Sequence, residues 1–313
     1  MTVQSPNQLP DYPITRLPDS SSDSRAPAVI GRHARLELSF ERRRGRTILA
    51  HSYAEPPFRV GRAFQIDDAA YVILVCTGAG IFAGDTLRLS IRVASGARVV
   101  LASQSALQAH PAAAESAATI HHEYTVEDEA ELQCQWDPVI PFAGARIDQR
   151  FDLRIGESSR LYWSDALMAG RVSRGEAWRF QFLAHELRLR VGTSLAYLER
   201  YTLAPAGRRI EQPWVAGRAR YLATAIVHHD AATRDAAEAL QRDAPLRRRP
   251  ADRQEPNAPG SLAVDLGVDL IRPKTIVGRI LAVDGAPFAA ARAEFQARAL
   301  ASIFGAPGRV GRK

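Results

Sequence analysis

The chain has 313 residues, 46% of them hydrophobic and 24% charged, ordinary proportions for a globular protein and enough to bury a sizeable core. Its net charge of +7 is an arginine excess, since only Lys274 and Lys313 are lysines; the arginines mostly alternate with apolar residues, which argues against a nucleic-acid face and suits an acidic protein partner. Cys76 and Cys134 are far apart and without a CxxC partner, which argues against a disulfide framework or zinc site; no apolar run reaches the roughly 18 residues of a membrane span, and Met1 to Ser24 lacks a signal-peptide pattern, so the expected location is cytoplasmic.

Residues 1–30 are rich in Pro and Ser and poor in large apolar residues, and are predicted to form a disordered tail ahead of a single domain spanning 31–313. A strand begins with Leu36, Leu38 and Phe40 on one face, and Gly45 marks a turn into a second strand through Thr47 and Leu49. Tyr71 to Cys76 reads as a buried strand, with Cys76 a small hydrophobe. Thr77 to Gly84 superficially resembles a dinucleotide loop. However, the element that follows alternates Leu87, Leu89, Ile91 and Val93 with polar residues, so it is a strand and offers no helix N-terminus to a pyrophosphate. The glycines are expected to supply positive φ in a tight connection.

A loose repeat follows, in which an alternating strand meets a short turn and restarts. The restarts at Val99, Leu132, Leu161 and Leu195 are spaced as stacked β-units would be. The fold class expected is therefore all-β, β-helix-like, with a few helices mainly at the C-terminal end. Ala231 to Arg242 reads as a helix, residues 243–260 as a flexible Pro-rich insertion, and Ser261 to Val283 as strands. A closing helix presents Phe288, Ala291, Phe295, Ala299 and Ile303 on one face.

No nucleophile elbow, P-loop or HExxH motif occurs, so the chain is expected not to be an enzyme. His121-His122 and His228-His229 are poor chelates, because adjacent strand residues point to opposite faces, and neither pair shows a carboxylate at ligand spacing. Two rival readings remain. One is a β-fold hydrolase using Asp165, Glu176 or His185; the other is a basic nucleic-acid binder presenting Tyr162, Trp163 and Trp178.

Several segments, in order, resemble the UreD (UreH) family of urease accessory proteins: Gly78-Ala79-Gly80-Ile81-Phe82-Ala83-Gly84-Asp85, Ser103-Gln104-Ser105-Ala106, Pro138 to Arg146, Gly170 to Trp178, Glu199-Arg200, and Ile280 to Gly285. The resemblance implies a β-helix-like scaffold that docks on apo-urease subunits and on UreF, which recruits UreG. It implies no catalysis, no tightly bound cofactor, and transit of Ni²⁺ through polar interior passages. On the matched positions, Asp85, Gln104 and Glu176 are the expected oxygen donors to nickel, because a cation in transit needs weak oxygen or nitrogen ligands. Arg146, Arg171 and Arg174 are expected to be structural or interface groups. The sequence departs from the family pattern in its first glycine motif, in the Pro-rich insertion and in its C-terminal segment.

Overall fold

The computed structural model describes residues 31–112, 115–207, 210–212, 215–242 and 264–305. The predicted tail at 1–30 and the Pro-rich insertion at 243–260 lie outside the described residues. The described chain opens with β1 (His33–Arg43), β2 (Arg46–Ala54), the short β3 (Phe58–Val60) and β4 (Phe64–Ile66), and β5 (Ala69–Cys76). Three winding coils follow: β6 (Thr86–Val93), β7 (Arg98–Ser103) and β8 (Leu107–Ala109), then β9 (Ala118–Val126), β10 (Glu131–Gln135) and β11 (Val139–Pro141), then β12 (Arg146–Ile155) and β13 (Arg160–Met168). The hairpin β14 (Phe182–Val191) and β15 (Ser194–Leu203) precedes β16 (Tyr221–His228), α1 (Arg234–Arg242), β17 (Val264–Arg272), β18 (Thr275–Ala282) and α2 (Gly285–Ser302).

Each coil sends one strand to each of two facing sheets. The first sheet has the order β15-β14-β12-β9-β6-β1-β2; the second runs β17-β18-β16-β13-β10-β7-β5-β3. Between the coils the ladders are parallel, and Val99, Leu132 and Leu161 pair directly across two of them. Three of the four predicted restarts thus fall on one register line. Their alternating apolar residues close the core between the sheets, where Leu36, Phe40, Ile91, Leu132, Ile147 and Trp163 are fully buried.

The fourth restart behaves differently. Leu195 sits in β15, which returns along β14 as an antiparallel hairpin, and it is 51% exposed. The connections that cross between sheets, at 94–97, 127–130 and 156–159, have four residues, whereas Gly192-Thr193 has two. A two-residue loop makes a hairpin and cannot span the ~10 Å between stacked sheets.

The central strands of the second sheet are buried on both faces. Beyond the inter-sheet core, Tyr162, Ala225, Ile276 and Ile280 pack against Phe288, Ala291, Phe295, Ala299 and Ile303 of the closing helix region. All five predicted contact residues are therefore buried. Gly278 allows the helix its close approach, since a Cβ there would lie 2.6 Å from the Phe295 ring. Among the described residues no helix is long and apolar enough to cross a membrane.

Candidate functional site

The coil geometry brings the three predicted nickel donors to one rim. Asp85 lies in the connection from β5 to β6, Gln104 in that from β7 to β9, and Glu176 in that from β13 to β14. All these connections leave the C-terminal ends of the second sheet and enter the N-terminal ends of the first. They stack on one another: Ile81 bridges Ala109, and Gln108 pairs with Ile140. Gly80 takes φ +118°, and a Cβ there would lie 2.2 Å from the Gln108 carbonyl oxygen, so the predicted glycine role holds.

The residue after each bridge forms a column of rings. Phe82 stacks on His110 at 4.3 Å, His110 meets Phe142 edge-on at 5.0 Å, and the Arg171 guanidinium covers Phe142 at 3.9 Å. Arg32 covers the other end, 5.9 Å from Phe82. Cation–π contacts thus cap the column at both ends. This explains why the glycine segment at 78–85, Pro138 to Arg146 and Gly170 to Trp178 read as motifs: each supplies one layer.

Asp85 and Glu176 brace this rim. Asp85 is buried and accepts hydrogen bonds from the Arg32 and Phe82 backbone N–H groups at 2.8 and 2.9 Å, and pairs with the Arg32 guanidinium at 3.3 Å. Glu176 takes a two-pronged pair with Arg171, 2.7 Å at Nε, and accepts from the Ala143 N–H at 3.2 Å. The Arg171 hydrogen bond holds its carboxyl below the usual glutamate range. Arg171 is therefore a structural group, as expected. Gln104 is exposed, while its neighbours Ser103 and Ser105 line a cavity between the sheets.

That interior is the more distinctive feature. One cavity of about 80 Å³, lined by Cys76, Ser103, His122, Asp137, Gln149 and Asp165, lies behind the rim. A second, of about 240 Å³, is lined by Asp165, Glu199, Tyr201, Thr224 and Arg279 and reaches the exposed Val215. Asp165 lines both. It sits on β13 beside β16, buried, and desolvation with the nearby Glu199 charge pushes its carboxyl up to about 7. Glu199 accepts from Tyr197 at 2.8 Å and Thr224 at 3.1 Å and pairs with Arg279 at 3.1 Å.

His185 stands 3.9 Å from Asp165, stacks on Tyr201 at 4.6 Å, and accepts at Nδ1 from Gln149 Nε2 at 2.7 Å. Burial pulls its imidazole down to about 4. Asp165 and His185 are thus both driven toward their neutral forms, which makes them a polar contact and not an ion pair. Among the described residues the buried Gln149 Oε1 and His185 Nε2 have no hydrogen-bond partner, and Gln149 lines the smaller cavity, so this junction carries free polar valence. Cys76 is half-buried at the cavity wall, a more open position than its apolar run predicted, and burial raises its thiol above the usual range.

The rival readings fare unequally. Asp165 and His185 do meet, but an imidazole held neutral down to about pH 4 is a weak general base, and Glu176 is occupied at the rim. The aromatics required for a nucleic-acid face, Tyr162, Trp163 and Trp178, are all buried. The expectation about the histidine pairs is half right. His122 is buried and His121 lies on the opposite face, yet His121 does have carboxylates in reach, Glu123 at 3.5 Å and Asp152 at 3.1 Å. The first was legible as an i, i+2 strand neighbour; the second required knowing the β9/β12 register. Glu199 lay within a recognised motif, but its place at the cavity depended on the β14–β15 hairpin.

A family profile described as UreD urease accessory protein matches residues 32–312. The chain belongs to the UreD family. It is similar to the urease accessory protein UreD of Lysinibacillus sphaericus, 36% identical over 157 residues covering 50% of this chain and 59% of that protein. It is 33% identical to the UreD of Sorangium cellulosum over 204 residues, 65% of this chain and 64% of that protein. The urease accessory protein UreH of Helicobacter hepaticus is 27% identical over 162 residues, 52% of this chain and 64% of that one. In each of these three comparisons the match spans less than two thirds of the relative's length. The rim column and the Asp165 junction are thus features of a UreD-family β-solenoid.

Proposed function

We propose that this UreD-family protein assists urease assembly in the cytoplasm, docking on apo-urease and UreF, with UreG joining through UreF, and that Ni²⁺ crosses its interior on the way to the urease site. It contributes no catalysis of its own. The observation that carries the reading is Asp165, a carboxyl shared by two cavities and flanked by Glu199, Gln149 and His185. A carboxyl with a pKa near neutrality is inexpensive to bury in its protonated form, and it becomes a ligand on exchanging its proton for a cation. Carboxylate and amide oxygens are the donors this junction offers, since the His185 lone pair is taken by Gln149, and several partial sites let the ion move on where one closed cage would trap it.

Asp85, Gln104 and Glu176 enter this scheme as oxygen donors at the rim, where Arg32 must first release Asp85. For Glu176 to bind a cation, Arg171 must release it, and the cation–π contact that Arg171 already makes with Phe142 gives the guanidinium a remaining partner. Co-expression of the untagged chain with tagged urease subunits and UreF tests the partnership. The expected result is a co-purifying complex that binds UreG only when UreF is present; recovery of urease and UreF without this chain contradicts it.

A further inference from the structure

On the solvent face of the first sheet, three side chains that the interior scheme does not use converge. His121 and Glu123 are alternate residues of β9, so they share a face, and Asp152 is the direct cross-strand partner of Glu123 on β12. Their ligand atoms lie within 4.8 Å of one another. We propose that His121, Glu123 and Asp152 form a surface binding site for a divalent transition cation of the nickel–zinc class.

The separations support this. Ligands about 2.1 Å from a metal and roughly 90–109° apart stand about 3.0–3.4 Å from each other. His121 Nε2 is 3.1 Å from Asp152 Oδ2 and 3.5 Å from Glu123 Oε1, close to the edges of such a coordination shell. The donors sit on two hydrogen-bonded strands, so the register fixes their spacing before any ion arrives. One imidazole and two carboxylates supply net charge −2 with borderline-to-hard donors, a set suited to Ni²⁺ or Zn²⁺. Three ligands from one side leave the solvent side to water, so the ion remains exchangeable.

The neighbourhood tempers the affinity. Arg88 and Arg150 are the cross-strand partners of His121, and Arg150 Nε lies 3.3 Å from the same Asp152 oxygen. The Arg150 guanidinium also reaches Glu186, at 3.0 Å. An arriving cation therefore displaces Arg150 from Asp152 while leaving it a carboxylate partner. The result is a weak, releasable site, which differs from a structural metal cage. The proposal rests on the nickel-delivery reading only for the identity of the biological cation.

The test is a calorimetric titration of the untagged full chain with NiCl₂, comparing wild type with His121→Ala, Asp152→Asn and Arg150→Gln, each checked by thermal melting. The three donors face solvent, so the fold is expected to persist. His121→Ala and Asp152→Asn should each weaken one site by more than about tenfold, a loss at least as large as that from removing a metal ligand's indirect support. Arg150→Gln should tighten the same site about fivefold, the effect of deleting one charge about 8 Å from a divalent cation in a water-like dielectric. Asp165→Asn should retain the site, and the readout needs no urease, so the outcome is independent of the interior route. No saturable binding by wild type, or a His121→Ala isotherm superimposing on it, overturns the proposal.

Discussion

Replacing Asp165 by asparagine is expected to stabilise the protein at pH 8 relative to wild type, with little gain at pH 5. In the folded chain the Asp165 carboxyl is raised from 3.8 to about 7, first by desolvation and then by Glu199. Between these values the native state binds more protons than the unfolded state, so this group's contribution to stability is fully present below about pH 4 and is lost as pH rises through about 7. His185 acts in the opposite sense: its folded value falls from 6.5 to about 4, so its contribution improves with pH across that interval. In wild type the two slopes partly cancel. Asparagine has the same shape and no titration, so it removes only the falling arm. The difference between variant and wild type should therefore grow from pH 5 to pH 8 by an amount on the order of 3 kcal/mol. Urea unfolding at the two pH values measures it; a variant less stable than wild type at pH 8 contradicts the assignment of Asp165 as a desolvated carboxyl.

A comparably large effect is expected where α2 meets the second sheet. Phe295 is 3% exposed, and its ring tip occupies the space above Gly278 that a side chain would fill. Phe295→Ala should lower stability by about 3–5 kcal/mol through lost burial and the cavity left behind. Gly278→Ala in the otherwise native chain places a methyl group 2.6 Å from the ring and should cost about 1–3 kcal/mol by overpacking. In the Phe295→Ala background the same methyl has room, so Gly278→Ala should be close to neutral or stabilising there. Chemical denaturation of the four proteins closes the cycle; additive losses would mean that the helix does not sit over β18 as described.

The strands were legible because one-sided burial imposes a period of two, and Leu87, Leu89, Ile91 and Val93 display it without interruption. The restarts Val99, Leu132 and Leu161 were legible for a related reason: equal connection lengths keep a parallel stack in register. Leu195 broke the series because the length of its turn, and not its hydrophobicity, decides between a crossing and a hairpin. The α2 face was readable from the spacing of Phe288, Ala291, Phe295 and Ala299. The candidate site was less accessible. Asp85 and Glu176 could be selected as carboxylates in motifs, but their engagement by Arg32 and Arg171 depends on which connections stack. Asp165 stood out in the sequence only as a candidate acid of the rival hydrolase reading. Its position between two cavities arises from β13 lying beside β16, a non-local pairing that no local pattern announces. The approach of Asp152 to His121 and Glu123 was likewise hidden until β9 and β12 were aligned.

The interior route is tested most directly by nickel content. Urease co-expressed with UreF, UreG and the Asp165→Asn chain should assemble the same accessory complex as with wild type, yet carry markedly less nickel per active site, with Asp165→Glu recovering part of the loss. Full complex formation together with wild-type nickel loading in the Asp165→Asn background would contradict passage through the Asp165 junction.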